Sequence, residues 1–109
     1  MVGDSSVYSG TRGPDGQTFV AVDGHPLSLR ADARKDASTT FDWGYRGRGG
    51  PAQLSLAILA DHFADDAKAR RHFEQFLRRV VSSLPRQKWS LTGLEIDTAL
   101  EIDSALTER

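Results

Sequence analysis

The segment from Pro51 to Phe63 constrains the fold more than any other part of this chain. Apolar residues occupy most sides of its helical wheel: Leu54, Leu56, Ala57, Ile58, Leu59 and Phe63. A helix that is apolar around most of its girth must be covered on two sides, because burying apolar surface is what stabilises it. Pro51 suits the first turn of a helix, where its missing N–H costs nothing. We therefore predict a central helix from about Pro51 to Phe63.

A second helix is predicted from about Asp66 to Leu84. Asp65 or Asp66 can cap its N-terminus, and Pro85 stops it. Spacings of three and four residues define its buried stripe, which consists of Phe73, Phe76, Val80 and Leu84. This helix therefore has one apolar face and one solvated face.

The N-terminal part of the chain is typical of strands. Ser6–Arg12 and Thr18–Val22 are rich in β-branched and aromatic residues, and the turn sequence Gly13–Gly16 joins them. Asp23-Gly24 is a second turn signal, and the alternation in Leu27–Leu29 indicates a third, half-buried strand.

Three aromatic residues alternate just before the central helix. In a strand, Phe41, Trp43 and Tyr45 would share one face, which predicts a fourth strand that forms a wall of the core. The glycine-rich segment 47–50 then breaks that strand and leads into the helix.

The C-terminal part supports two interpretations. Thr92 and Glu95 match a capping box, which favours a short helix, whereas the apolar residues from Leu94 to Leu106 alternate as in a strand. We choose the helix. The predicted fold is a single α+β domain over residues 7–106 that follows a flexible N-terminus at residues 1–6. In it an antiparallel sheet of three or four strands packs against two main helices.

Composition excludes several classes of protein. The 109 residues include no cysteine, so a disulfide scaffold, a CxxC zinc site and a thiol nucleophile are excluded. The net charge of -1 argues against a general nucleic-acid coat protein. No apolar run could span a bilayer, and residues 1–6 lack the apolar part of a secretory signal, so we expect a cytoplasmic protein without membrane contact. The three histidines are isolated and no HExxH motif occurs, so we expect no metal and no cofactor.

Charge is segregated along the chain. Residues 67–89 contain seven basic and one acidic residue, whereas residues 90–109 contain one basic and five acidic residues. Four arginines lie largely off the apolar stripe of the second helix and are the candidate partner-binding residues: Arg70, Arg71, Arg78 and Arg79. The competing interpretation, which we favour for this face by itself, is a solvated outer face that the acidic tail partly neutralises. If the face is functional, we rank protein contact above nucleic acid because the net charge is so small.

A second candidate site precedes the central helix. Arg46, Gly47, Arg48 and Gly49 lie next to a helix N-terminus, where amide and guanidinium groups can hold an anion or phosphate. The segment matches neither the GxxxxGK[ST] phosphate loop nor a GxGxxG fingerprint. The competing interpretation, which we favour, is a tight corner whose glycines let backbones approach closely.

One block of the sequence resembles a known family. Phe41–Tyr45, the glycine corner and Pro51–Leu59 are together similar to domain-of-unknown-function family 6166, a family of short proteins found in bacteria and their phages. Tyr8–Arg12 and Val22–Leu27 fit the same pattern, so the resemblance covers about residues 7–96. This chain departs at the corner, where arginines and an extra glycine replace a more compact Gly/Ser run. The family carries no established activity and implies no catalytic residues, but its phage members imply that some relatives inhibit host defence systems.

We expect a non-enzymatic protein, monomer or homodimer, that binds a macromolecular partner, most simply another protein. One alternative is a small-anion or nucleotide-binding protein or enzyme that uses the corner with Arg46 and Arg48. A nucleic-acid-binding protein is the second alternative.

Overall fold

The computed structural model describes residues 6–30, 40–47 and 49–100 and confirms an α+β fold. Its strands and helices follow in the order β1 (Val7–Arg12), β2 (Thr18–Val22), β3 (His25–Pro26), α1 (Gly50–Phe63), α2 (Asp66–Arg79), β4 (Lys88–Thr92) and α3 (Gly93–Ala99). A 3-10 turn at Val81–Ser83 separates α2 from β4. Outside the described residues lie 1–5 of the predicted flexible N-terminus, 101–106 of the predicted domain, and residues 31–39 and 48 of the segment between β3 and α1.

The four strands form one antiparallel sheet in the order β3-β2-β1-β4. Gly10 of β1 lies between Val20 of β2 and Trp89 of β4. Val20 and Trp89 are buried together with Tyr8, so one face of the sheet covers the core. The opposite face carries the largely exposed Phe19.

The first hairpin is confirmed, but the third strand lies earlier than predicted. The Gly16 amide donates to the Gly13 carbonyl at 3.0 Å and closes the first turn. Asp23 and Gly24 both have positive φ, at 50° and 85°, as a two-residue hairpin turn requires. Pairing therefore resumes immediately, with His25 opposite Val22. Of the predicted Leu27–Leu29 segment, the Leu27 amide donates to the Val20 carbonyl at 3.0 Å, and the strand itself ends at Pro26.

The prediction of a strand at Phe41–Tyr45 is wrong. These residues are irregular, because Gly44 takes a φ of 89° and turns the chain away from an extended path. Phe41 and Trp43 are buried as expected of a core wall, but Tyr45 is 44% exposed.

The fourth strand is β4, which the sequence analysis does not predict as a strand. Tyr8 of β1 lies opposite Leu91, and Ser9 lies opposite Ser90. Trp89 is buried on the core face and its neighbours Lys88 and Ser90 are exposed, so β4 has the alternation of a half-buried strand. A run of only five residues bearing two apolar side chains gives a weak signal until its partner strand is known.

Helix α1 is the central element, as its apolar girth predicts. Its residues from Pro51 to Ala60 are all buried. Tyr8 from the sheet and Phe76 from α2 belong to the same hydrophobic core as α1, so the helix is covered on two sides. Among the helices in the described part of the chain, none is both long and apolar enough to cross a membrane.

Helix α2 begins as predicted but ends five residues earlier. The Asp65 side chain accepts a hydrogen bond from the Lys68 amide at 3.1 Å and caps the helix. Val80 leaves the helical region, with a φ of -124°, and the 3-10 turn follows. Helix α3 starts with the predicted capping box, in which the Thr92 and Glu95 side chains each accept the other's backbone amide.

The Trp43 side chain connects the irregular segment to the rest of the fold. It is fully buried, and its indole N–H donates to the Arg86 carbonyl at 2.9 Å. Its ring meets the Trp89 ring edge-on, with centroids 5.5 Å apart, and the Arg12 guanidinium lies 4.8 Å from its centroid. One side chain thus joins the approach to α1 with β1 and β4.

We expect Trp43→Ala to lower the free energy of unfolding by about 3–5 kcal/mol, since it removes a large buried ring and one of the two side-chain donors to the Arg86 carbonyl. Urea unfolding followed by far-UV circular dichroism measures the loss. The control is Phe19→Ala, which truncates a side chain that is 57% exposed and should change stability by about 0.5 kcal/mol or less. Equal losses in the two variants would contradict the role assigned to Trp43.

Candidate partner-binding groove

The structure brings parts of both predicted sites together in one groove. The groove has a volume of about 220 Å³ and lies between the corner before α1 and the outer side of α2. Its lining combines apolar and charged residues: Arg46, Gly47, Ala52, Phe73, Glu74, Leu77 and Arg78. Arg46 and Gly47 come from the predicted anion site, and Arg78 comes from the predicted basic face.

The floor of the groove is apolar and its rim is charged. Phe73 and Leu77 are only partly buried and pack at the edge of the hydrophobic core, and Ala52 beside them is buried. Arg46 and Arg78 are exposed. An apolar floor within a charged rim is typical of the surfaces at which proteins bind one another.

Three of the four predicted arginines form a basic face next to the groove. Arg70, Arg71 and Arg78 are exposed, and within the part of the chain that the structure describes none of them is paired with a carboxylate. Arg70, Glu74 and Arg78 follow one another at a spacing of four residues, so these three side chains share one side of α2. Hereafter the basic face means Arg70, Arg71 and Arg78.

Arg79 lies on another side of α2. Its guanidinium donates to the Ala99 carbonyl at 2.9 Å at the end of α3. A cation that binds the last carbonyls of a helix is a recognised stabilising contact. The structure therefore gives Arg79 an internal partner.

His72 lies next to Arg71 of the basic face, and its pKa is lowered. Burial lowers the pKa of His72, and the positive charges of Lys68 and Arg71 lower it further.

The glycines of the corner allow close backbone packing. A Cβ at Gly47 would lie 2.5 Å from the Tyr45 ring, and a Cβ at Gly50 would lie 2.6 Å from the Cβ of Asp42. Gly49 has open space around it, and Arg48 lies outside the described residues. These contacts support the interpretation of the corner as a tight connection.

Asp42 organises the hydrogen bonds of the corner. Its carboxylate accepts from the Arg12 guanidinium at 2.7 Å, the Trp43 amide at 2.8 Å and the Tyr45 hydroxyl at 3.1 Å. Burial alone would raise the pKa of Asp42, but these donors together hold it below its usual value. For Tyr45, burial raises the pKa, and the charge of Asp42 raises it further.

The surroundings of the α1 N-terminus give less support to an anion site there. The Asp42 backbone amide would lie 2.9 Å from a Cβ at Gly50, so the chain passes directly over the start of the helix. Pro51 offers no N–H, and a carboxylate next to the helix start repels an anion. The anion site of Arg46, Gly47, Arg48 and Gly49 stays a prediction.

Two further polar pairs fasten α1 to its neighbours. The Tyr8 hydroxyl donates to the Asp61 carboxylate at 2.6 Å, and burial together with that bond raises the pKa of Tyr8. The buried His62 ring lies 2.7 Å from the Asp97 carboxylate of α3. Among the described residues, no three His, Cys, Asp or Glu side chains gather as ligands for a metal ion.

Sequence reasoning missed the floor of the groove and the two polar pairs. Phe73 belongs to the predicted buried stripe and Leu77 widens that stripe, yet both are only partly buried and lie beside Arg78 in the groove. The signal in the sequence is that the apolar stripe of α2 widens towards its basic residues, which indicates an apolar patch at the surface. Tyr8 and Asp61 are 53 positions apart, and no local pattern relates them.

We expect the stabilisation that the Asp42 carboxylate provides to disappear at acid pH. The pKa of Asp42 is lower in the folded protein than in the unfolded chain, where it is about 4. The stabilisation is therefore complete above about pH 4 and is lost as the pH falls through the pKa of the folded protein. Urea unfolding of the wild type and of Asp42→Asn should show a stability gap at pH 6 that narrows below about pH 4. A gap of constant size would contradict the assignment.

We expect Gly50→Ala to lower the free energy of unfolding by about 1–3 kcal/mol, because the new methyl group would overlap with Asp42. Gly13→Ala is the control, because a Cβ there meets nothing closer than 3.6 Å. The free energy of unfolding of this variant should be unchanged or higher by up to about 1 kcal/mol. Differential scanning calorimetry measures both. A neutral Gly50→Ala would argue against the packing role of the corner.

Comparison with known proteins gives a family but no activity. A family model described as a family of unknown function, DUF6166, matches residues 8–102. No curated protein and no solved structure matches the chain.

Proposed function

Because the chain belongs to DUF6166, a family of unknown function, we propose from the geometry of its surface that it is a non-enzymatic interaction protein. It binds an acidic protein partner through the basic face of α2 and the groove beside that face. No reaction is required of any residue in this role.

The observation that carries the proposal is the position of the basic face beside a partly buried apolar floor. Three exposed guanidinium groups have no carboxylate partner among the described residues, and Phe73 and Leu77 lie next to them. Arginine and aromatic residues are enriched in the energetically dominant parts of interfaces. A merely solvated face needs no apolar groove.

The distribution of shifted pKa values supports binding rather than catalysis. Tyr8, Asp42, Tyr45 and His72 have shifted pKa values. None of them lines the groove, and Tyr8 and Asp42 hold elements of the fold together. Catalytic sites usually gather such groups in one cleft.

The biological setting of the proposal comes from the family resemblance. We place the protein in the cytoplasm of a bacterium, encoded by the host or by a phage, where it inhibits a host defence protein by occupying an acidic surface of it. It acts as a monomer or a homodimer.

Anion binding is the second candidate, because Arg46 and Gly47 line the groove. A bound ligand raises the free energy of unfolding by RT ln(1+[L]/Kd), and the melting temperature rises with it. Melting curves with inorganic phosphate or ATP at about millimolar concentration therefore test anion binding directly. Nucleic-acid binding would produce a salt-dependent mobility shift with DNA or RNA. If the protein binds a protein partner as proposed, phosphate and ATP should not change its melting temperature, and DNA and RNA should show no mobility shift.

We expect the triple variant Arg70→Ala, Arg71→Ala, Arg78→Ala to fold normally and to bind its partner at least about tenfold more weakly, because three exposed charges are removed from the interface. Affinity capture from the native host with quantitative mass spectrometry identifies the partner. Titration of the purified partner at two salt concentrations then measures the affinity.

Two controls separate charge from a general surface effect. The triple Arg→Lys variant keeps the charge but loses the guanidinium forks, so it should bind more tightly than the triple alanine variant and more weakly than the wild type. Lys88→Glu, on an exposed position of β4, should have no effect. A partner that binds the triple alanine variant as tightly as the wild type would refute the basic-face proposal, as would failure to capture any protein above the background of a nonspecific resin.

A further inference from the structure

We infer, building on the proposed protein binding, that the groove holds one leucine- or phenylalanine-sized side chain of an acidic segment of the partner. Aspartate or glutamate residues flank that side chain and pair with arginines on the rim. The partner's recognition element is therefore a short chain segment with an apolar anchor between carboxylates.

The size and lining of the groove fit a single apolar side chain. An apolar cavity of about 150 Å³ holds benzene, and the groove measures about 220 Å³. Phe73 and Leu77 supply an apolar floor that is only partly buried, so an incoming side chain would gain burial on both partners. A phosphate, which has no apolar surface to bury, would gain nothing from this floor.

The charges on the rim indicate carboxylates next to the anchor. Arg46 enters from the corner and Arg78 from α2, so the two walls of the groove each present an exposed guanidinium. In the described residues, neither is paired with a carboxylate. A guanidinium fork pairs with a carboxylate in bidentate geometry, which fixes the orientation of the segment.

The length of the basic face sets the spacing of the acidic residues. Arg71 precedes Arg78 by seven residues, about 10 Å along the helix axis. An extended chain covers about 10 Å in three residues. We therefore place a further carboxylate about three positions from the residues that flank the anchor.

Glu74 adds selectivity at the centre of the row. It lines the groove between Arg70 and Arg78, so a carboxylate placed directly on the floor would be repelled. A backbone N–H of the partner can donate to Glu74 instead. The arrangement favours an apolar residue in the groove with acidic residues on either side of it.

Peptide titrations followed by amide chemical shifts of the full chain test this inference. The probe is acetyl-Glu-Gly-Gly-Asp-Phe-Asp-amide. One matched peptide has glycine in place of phenylalanine, and another has Gln and Asn in place of the acidic residues. The phenylalanine peptide should shift amides of residues 46–47 and 73–78, and each matched peptide should bind at least about tenfold more weakly.

Protein variants give the reciprocal test. Arg46→Glu changes an exposed residue without a partner among the described residues, so it should fold and should weaken the phenylalanine peptide at least about tenfold. Lys88→Glu should leave the peptide affinity unchanged.

The outcomes distinguish this inference from the proposed function. Equal binding of the phenylalanine and glycine peptides would overturn the anchor and leave the basic-face proposal intact. Equal binding of the charged and amide peptides would overturn the carboxylate requirement. Absence of any shift overturns the groove inference, while the capture experiment still decides the basic face. A single-stranded RNA oligonucleotide that shifts the same amides, when the peptide does not, would assign the groove to nucleic acid.

Discussion

The hydrogen bond from the Trp43 indole to the Arg86 carbonyl is the contact on which the arrangement of this protein depends. It joins the irregular approach to α1 with the chain just before β4, two segments that are 43 positions apart. The Arg86 guanidinium returns a bond to the Trp43 carbonyl at 3.1 Å, and Arg12 of β1 donates to the same Arg86 carbonyl at 3.0 Å. The Trp43 indole is buried, and a buried donor without a partner is costly, so these bonds tie the three segments to one another.

The groove follows from that buried connection. Because Trp43 is held, the Gly44 amide can donate to the Val81 carbonyl at 2.9 Å, and the chain turns towards the end of α2. The Asp42 carboxylate accepts a hydrogen bond from the Tyr45 hydroxyl and so holds that residue. The next residue, Arg46, therefore lies in the lining of the groove together with Arg78. Adjacent residues thus have separate tasks, since Trp43 is buried and stabilises the fold whereas Arg46 is exposed at the groove.

Local patterns predicted the elements that carry strong local signals. The apolar girth of Pro51–Phe63, the Asp65 cap and the Thr92–Glu95 capping box each depend on residues within one or two turns of a helix. Apart from the end of α2, the errors concern strands, because a strand is stabilised by partners distant in sequence. Phe41–Tyr45 has the right alternation but no partner strand, whereas Lys88–Thr92 has a weaker pattern and pairs with β1. The basic residues were visible in sequence, and their separation into a basic face and the internally bonded Arg79 was not.

The sequence by itself determined the α+β class, the central position of α1 and the basic character of one side of α2, because periodicity and charge are properties of neighbouring residues. Only the tertiary structure decided which apolar residues remain partly exposed and which charges meet across a groove. Phe73 and Leu77 read as core in any local window, and Arg46 lies in another segment of the chain. These residues meet because residues 42–47 cross the end of α2. Contacts between segments distant in sequence determine that crossing.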